Sequence, residues 1–296
     1  MEQRVRVHRA RLGGGEVRVI RPAPSPARLV LRDDRHWLSM YADRAGAEQL
    51  VALWALAARS ARSLVHLPLR AHRAPEGVDG VDDGEGGVDG GGEGEPVSLD
   101  LVLLHHSLRF PVASWKEVRA RLDAGRPQTT GTPDGDFPEE DAVRYERWHH
   151  RSYRDHLAFD IAAHTLFVVG SPTAFRERGA LLRGLVDEAP SYAHRHPQAR
   201  HFCVELGAGP WSRPQNRRGV PASLHIQYSP DWRVLPGSRG RGEASGHGRG
   251  QGCGHGHTRG RDGRRPRRCR GGAFGSVVRW CTGSRGAPGV GPDVRR

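Results

Sequence analysis

The stretch Ala27–Ser60, "ARLVLRDDRHWLSMYADRAGAEQLVALWALAARS", decides how the chain is read. "ARLVLRD" and "HWLSMYA" are short apolar runs separated by charge, the pattern of a strand hairpin. Asp43 then stands where a helix N-cap belongs. Behind it Leu50, Leu53, Trp54, Ala57 and Ala58 recur at helical spacing, so Arg44–Arg59 is expected to be a helix. The order is strand, strand, helix.

Outward from this stretch, "RVRVHRARL" and "EVRVIR" alternate around Gly13–Gly15 and read as an N-terminal hairpin. Downstream, "SLVHLPLRAH" and "VSLDLVLLHHS" are two further strands. The acidic, Gly-rich run 77–96 interrupts them as an expanded hairpin tip. Ser114 and Glu117 form a capping-box pair before Trp115, Val118 and Leu122, which predicts a second helix. "GRPQTTGTPDGDFP" reads as a polar loop, and Glu139–Arg154 as a third helix.

The opening pattern then returns. "HLAFDIA" and "HTLFVVG" precede Ser171 and Pro172, a cap and a first-turn proline, and a helix carrying Phe175, Leu181, Leu182, Leu185 and Val186. "HFCVELG" and "SLHIQYS" close the series. At an offset of 128, Leu29, His36 and Leu38 meet Leu157, His164 and Leu166, and Asp43 meets Ser171. The expected fold is therefore α+β, with two tandem ββαββ units related by a pseudo-twofold axis and a cleft between them. The expected divisions are strands at 1–26, a first unit at 27–125, a linker and Arg-rich helix at 126–156, a second unit at 157–235, and a tail at 236–296.

That tail governs the charge. The chain carries 46 basic and 33 acidic residues, and 14 of the former and 3 of the latter lie from Pro236 onward. The preceding 235 residues thus hold 32 and 30, close to neutral. Lys116 is the single lysine and Asn216 the single asparagine, a usage that points to a very GC-rich bacterial gene. In such a gene a slipped frame yields Gly, Arg, Ala, Pro, Ser, Thr, Cys and Trp, the types that make up most of the tail. The tail is read as disordered and as frameshifted or otherwise non-native. The rival reading is a basic Arg-Gly arm for single strands, for which interleaved aromatics are expected and Phe274 alone is present.

Candidate chemistry is sparse. Arg144, Arg147, Arg151 and Arg154 would share one stripe of the third helix beside Trp148, a polyanion-binding face; the competing reading packs Trp148 inside and leaves the arginines in water. His149, His150, His156 and His164 lack metal-ligand spacing, as do His194, His196 and His201. Cys253, His255, His257 and Cys269 do not match a zinc-finger spacing. Cys203, the one cysteine before the tail, alternates with Phe202, Val204 and Leu206 and so lies on the opposite sheet face. No G-x-S-x-G and no P-loop occurs. No catalytic residue, metal site or cofactor is expected. The chain is expected to be cytoplasmic, without a signal or a membrane span. The first expectation is a non-enzymatic module that binds a partner such as another protein. The second is nucleic-acid or polyanion binding through the Arg144–Arg154 segment or the tail. The third is a hydrolase whose residues converge only on folding.

Overall fold

The computed structural model describes residues 1–34, 38–75, 96–133, 135–198, 201–209, 212–213 and 222–232. The readings of the acidic Gly-rich run and of the 236–296 tail lie outside these residues. In chain order the strands are β1 (Glu2–Leu12), β2 (Gly15–Pro22), β3 (Leu29–Asp33), β4 (Leu38–Ala42), β5 (Leu64–Leu67), β6 (Val97–Ser98), β7 (Asp100–His105), β8 (Arg126–Gly131), β9 (Ala158–Ala162), β10 (Thr165–Gly170), β11 (Phe202–Leu206) and β12 (Leu224–Tyr228). The helices are α1 (Arg44–Arg59), α2 (Trp115–Ala120), α3 (Pro172–Asp187) and α4 (Ala189–Arg195). The fold is α+β, with two mixed sheets. The larger runs β8-β1-β2-β5-β7-β10-β9 and the smaller β11-β12-β4-β3-β6.

Alternation along the strands builds one core between the sheets. Val5, Val7 and Ile20 from the larger sheet and Leu29, Leu31 and Met40 from the smaller join α1 and α3 in it. Helix α1 is buried on nearly every side, which fits its Ala- and Leu-rich sequence and a place between two layers. Trp54 is fully buried there, and its indole N–H donates to the Phe175 carbonyl of α3 at 2.7 Å. Both helices are capped as the sequence indicates: Asp43 accepts from the Gly46 N–H, and Ser171 from the Ala174 N–H. Gly46 has a steric reason as well, because a Cβ there would strike the Arg28 backbone. On the far face of the larger sheet, α2 covers a second apolar cluster containing Val19, Leu64, Val102, Trp115 and Phe167.

The elements expected to form two units interleave in both sheets instead of forming separate lobes. The hairpin β3-β4 lies in the smaller sheet, and β5-β7, after α1, lies in the larger. The hairpin β9-β10 lies in the larger sheet, and β11-β12, after α3, lies in the smaller. Strand β4 pairs parallel with β12, and β10 pairs parallel with β7. Exchanging each element for its counterpart converts the order β11-β12-β4-β3 into β5-β7-β10-β9. Helices α1 and α3 are both 16 residues long and lie at the 128-residue offset. The expected cleft is corrected: among the described residues the elements expected in the two units share one core, in which Trp54 meets Phe175 edge to face at 5.1 Å.

Three local expectations are also corrected. No continuous helix spans Glu139–Arg154; two short 3-10 turns form, Glu140–Ala142 and Tyr145–His149. The residues buried from this segment are Val143, Trp148 and Tyr153. Five-residue spacing would scatter them around a helix, so their contacts with α3 override local propensity. Ser114 makes no capping hydrogen bond, because its own backbone is already helical and a 3-10 turn, Val112–Ser114, precedes α2. "RPQTTG" is edge strand β8, held by antiparallel pairing with β1 while its side chains face solvent, so no apolar pattern marks it.

Candidate functional site

A row of polar side chains crosses the larger sheet beneath α2. Val19 and Leu64, on the α2 face of β2 and β5, set the alternation that puts Arg21 and His66 on that same face. Val102 and Leu104 do the same for Asp100 on β7, and Thr165 of β10 is its direct cross-strand neighbour. The sheet register therefore lines up Arg21, His66, Asp100 and Thr165 in a layer otherwise filled by apolar side chains. His66, Asp100 and Thr165 are all buried.

Asp100 is the hub. Its Oδ1 accepts from the Arg70 backbone N–H at 3.1 Å, and its Oδ2 from Arg70 Nε at 3.0 Å and Arg119 Nη1 at 3.2 Å. His66 Nε2 faces the same Oδ2 at 3.6 Å, beyond hydrogen-bond length, and has no hydrogen-bond partner among the described residues. Arg21 Nε donates to His66 Nδ1 at 2.9 Å, which fixes the imidazole as a neutral tautomer with its proton on Nε2. Trp115 stacks edge-on against His66 at 4.8 Å, and its N–H donates to Thr165 Oγ1 at 3.0 Å.

The electrostatics follow from this packing. Burial lowers the His66 pKa to about 4, against the opposing pull of Asp100 and with Arg21 and Arg119 adding to the drop. Burial raises Asp100, but the His66, Arg70 and neighbouring charge interactions outweigh it and hold the carboxyl at about 2. Burial lowers Arg21, with Asp100 opposing and Arg119 reinforcing. At neutral pH the row thus holds three guanidiniums, one carboxylate and a neutral imidazole, an excess of two positive charges. Arg70 keeps 39% of its side chain in solvent and Arg119 22%, so the excess opens to the outside.

The residues expected from sequence lie elsewhere. Arg144, Arg147, Arg151 and Arg154 are all exposed, but on the irregular segment, where they form no helical stripe. Trp148 is buried beneath the Arg178 guanidinium, 2.9 Å from its ring centroid, and donates to Glu177 Oε2 at 2.8 Å. Tyr153 donates to the same oxygen at 2.7 Å. Burial lowers Arg178 to about 10, with Tyr153, Glu177 and Tyr145 opposing. This cluster fastens the 137–156 segment to α3.

A second convergence lies on the smaller sheet. His201, Cys203 and His225 bring one ligand atom each within 4.8 Å of one another. In the sequence His201 and Cys203 belong to separate patterns and His225 to none. Only the β11-β12 register joins them, and one sequence does not display it. Arg21, His66 and Asp100 left a fainter trace, as polar residues at alternating positions in apolar strands.

No family model, curated protein or solved structure matches the chain. No helix among the described residues is long and apolar enough to cross a membrane.

Proposed function

We propose that the chain is a non-enzymatic binding module whose ligand is a small anion, of phosphate or carboxylate type, held at the outer end of the Arg21–His66–Asp100 row. The observation that supports it is the charge imbalance. A purely structural ion network gains by neutralising buried charge, whereas this one gathers three guanidiniums around one carboxylate. Arg70 and Arg119 each spend one edge on Asp100, and their solvent-facing N–H groups suit a phosphate or carboxylate. Asp100 and the neutral His66 orient the arginines and need not touch the ligand. The interleaved connectivity also supports an internal duplication as the origin of the fold. The row does not follow that repeat: Arg21 precedes the repeated elements, Arg119 follows the first set, and Thr165 comes from the second. Anion binding then belongs to the sheet and not to the Arg144–Arg154 segment.

The test is thermal unfolding of the full chain in inorganic phosphate, pyrophosphate and citrate, against sodium chloride of equal ionic strength. Wild type should be stabilised by at least one of the three anions beyond the salt control. Arg119→Gln and Arg70→Gln should lose that increment. Equal increments in wild type and both variants would remove the row as the site and return the question to the exposed arginines.

A further inference from the structure

We propose that His201, Cys203 and His225 form a binding site for a divalent ion of the zinc class, on the outer face of the smaller sheet. The site is independent of the anion row, which lies in the other sheet.

Strand register builds it. His201 directly precedes β11, and Cys203 is two residues on, so both side chains leave the same face. Glu205 pairs with His225 and Cys203 with Gln227 across the antiparallel β11-β12 ladder, which puts His225 on that face as well, diagonal to Cys203. The alternate residues Phe202, Val204, Leu206, Leu224, Ile226 and Tyr228 fill the central core. A one-residue slip would turn those six outward, so the core fixes the register that assembles the ligands. Cys203 and His225 are thus placed by the β11-β12 ladder, and His201 stands one residue before it.

The donor set suits the ion. Two imidazoles and a thiol are nitrogen and sulfur ligands, which favour zinc over calcium or magnesium. In a tetrahedral zinc site the donors stand about 3.3–3.6 Å apart, given Zn–N near 2.0–2.1 Å and Zn–S near 2.3 Å. The three atoms here lie within 4.8 Å, so side-chain rotation of about 1 Å closes them around an ion. The His201 and His225 rings already meet edge to face, 5.4 Å between centroids. Cys203 is buried and both histidines are half-buried, so the thiolate would be shielded while the imidazoles keep an entry path. On binding, Cys203 gives up its S–H proton to solvent and the thiolate sulfur donates to the metal. Three protein ligands leave the fourth position for water or an outside ligand, and exposed Glu205 stands directly across from His225.

The experiment uses the full chain with Cys253, Cys269 and Cys281 changed to Ser, so that Cys203 is its only thiol. The reduced, chelator-treated protein is titrated with cobalt(II). The expected result is one cobalt per chain with a thiolate-to-cobalt charge-transfer absorption, displaced by zinc. Cys203→Ser should abolish the absorption. His225→Gln and His201→Gln should each weaken cobalt binding by more than about 100-fold, since even loss of an outer-shell partner costs about 10–100-fold. Should Cys203→Ser not fold, the two histidine variants carry the test. Absence of the absorption in the Ser-substituted background, or unchanged affinity in both histidine variants, would overturn the proposal.

Discussion

Changing Asp100 to Asn keeps the size and shape of the side chain and removes the carboxylate that, among the described residues, faces Arg21, Arg70 and Arg119. Two routes give the size of the effect. Asp100 has 3% of its side chain exposed, and breaking a buried ion pair by deleting one partner costs about 3–5 kcal/mol. Its carboxyl is held near 2 against an ordinary 3.8, and a shift of that size is worth roughly 2–3 kcal/mol at neutral pH. The partial exposure of Arg70 and Arg119 favours the lower figure, about 3 kcal/mol. For a folded region of this size that is a fall of roughly 6–12 °C in Tm. The sign with pH follows: the depressed carboxyl contributes fully above its unfolded pKa and loses its contribution as pH falls through about 2. Calorimetry of wild type and Asp100→Asn at neutral pH measures the difference. Inorganic phosphate should then stabilise the variant more than wild type, because three arginines are left without a counter-ion. A loss below about 1 kcal/mol, with equal response to phosphate, would refute the idea that Asp100 compensates a cationic site.

Other perturbations probe neighbouring parts of the account. His66 has its pKa lowered to about 4, so the unfolded chain takes up a proton before the folded one does. Stability should decline as pH falls through about 6.5 and level off below 4, by about 3 kcal/mol in all, and His66→Gln should flatten that part of the pH profile. Gly179→Ala should cost about 1–3 kcal/mol despite the better helix former, because its Cβ would collide with the Phe137 ring; urea titration beside the Phe137→Leu/Gly179→Ala double variant should show partial relief. Converting Arg144, Arg147, Arg151 and Arg154 to Gln should change stability by less than about 1 kcal/mol and leave phosphate stabilisation intact, since all four are exposed.

Local signals carried the sequence reading where they agreed with the final packing. Asp43 and Ser171 cap the helices they were expected to cap, and α1 and α3 start and end within a residue or two of the periodic pattern. The reading failed where tertiary contacts decide. Trp148 and Tyr153 seek Glu177, 24 to 29 residues away, and that pull breaks the helix that "EEDAVRYERWHH" otherwise suggests. Strand β8 is made by main-chain pairing alone, so its exposed polar side chains gave no pattern. The candidate sites were illegible for a related reason. Arg21, His66, Asp100 and Arg119 come from four separate elements, and Cys203 meets His225 only through cross-strand register. Spacing along the chain reports on neighbours within one element, and neither site is built within one.

Titration calorimetry with pyrophosphate reports on anion binding at Arg70 and Arg119. Full-length wild type is compared with the Arg70→Gln/Arg119→Gln double variant, and the Arg-rich tail, present in both, cancels from the comparison. One saturable site per chain is expected in wild type and at least about a tenfold loss of affinity in the variant, since hydrogen bonds to charged groups contribute about 1.5–3 kcal/mol each. Superimposable isotherms for the two proteins would contradict it.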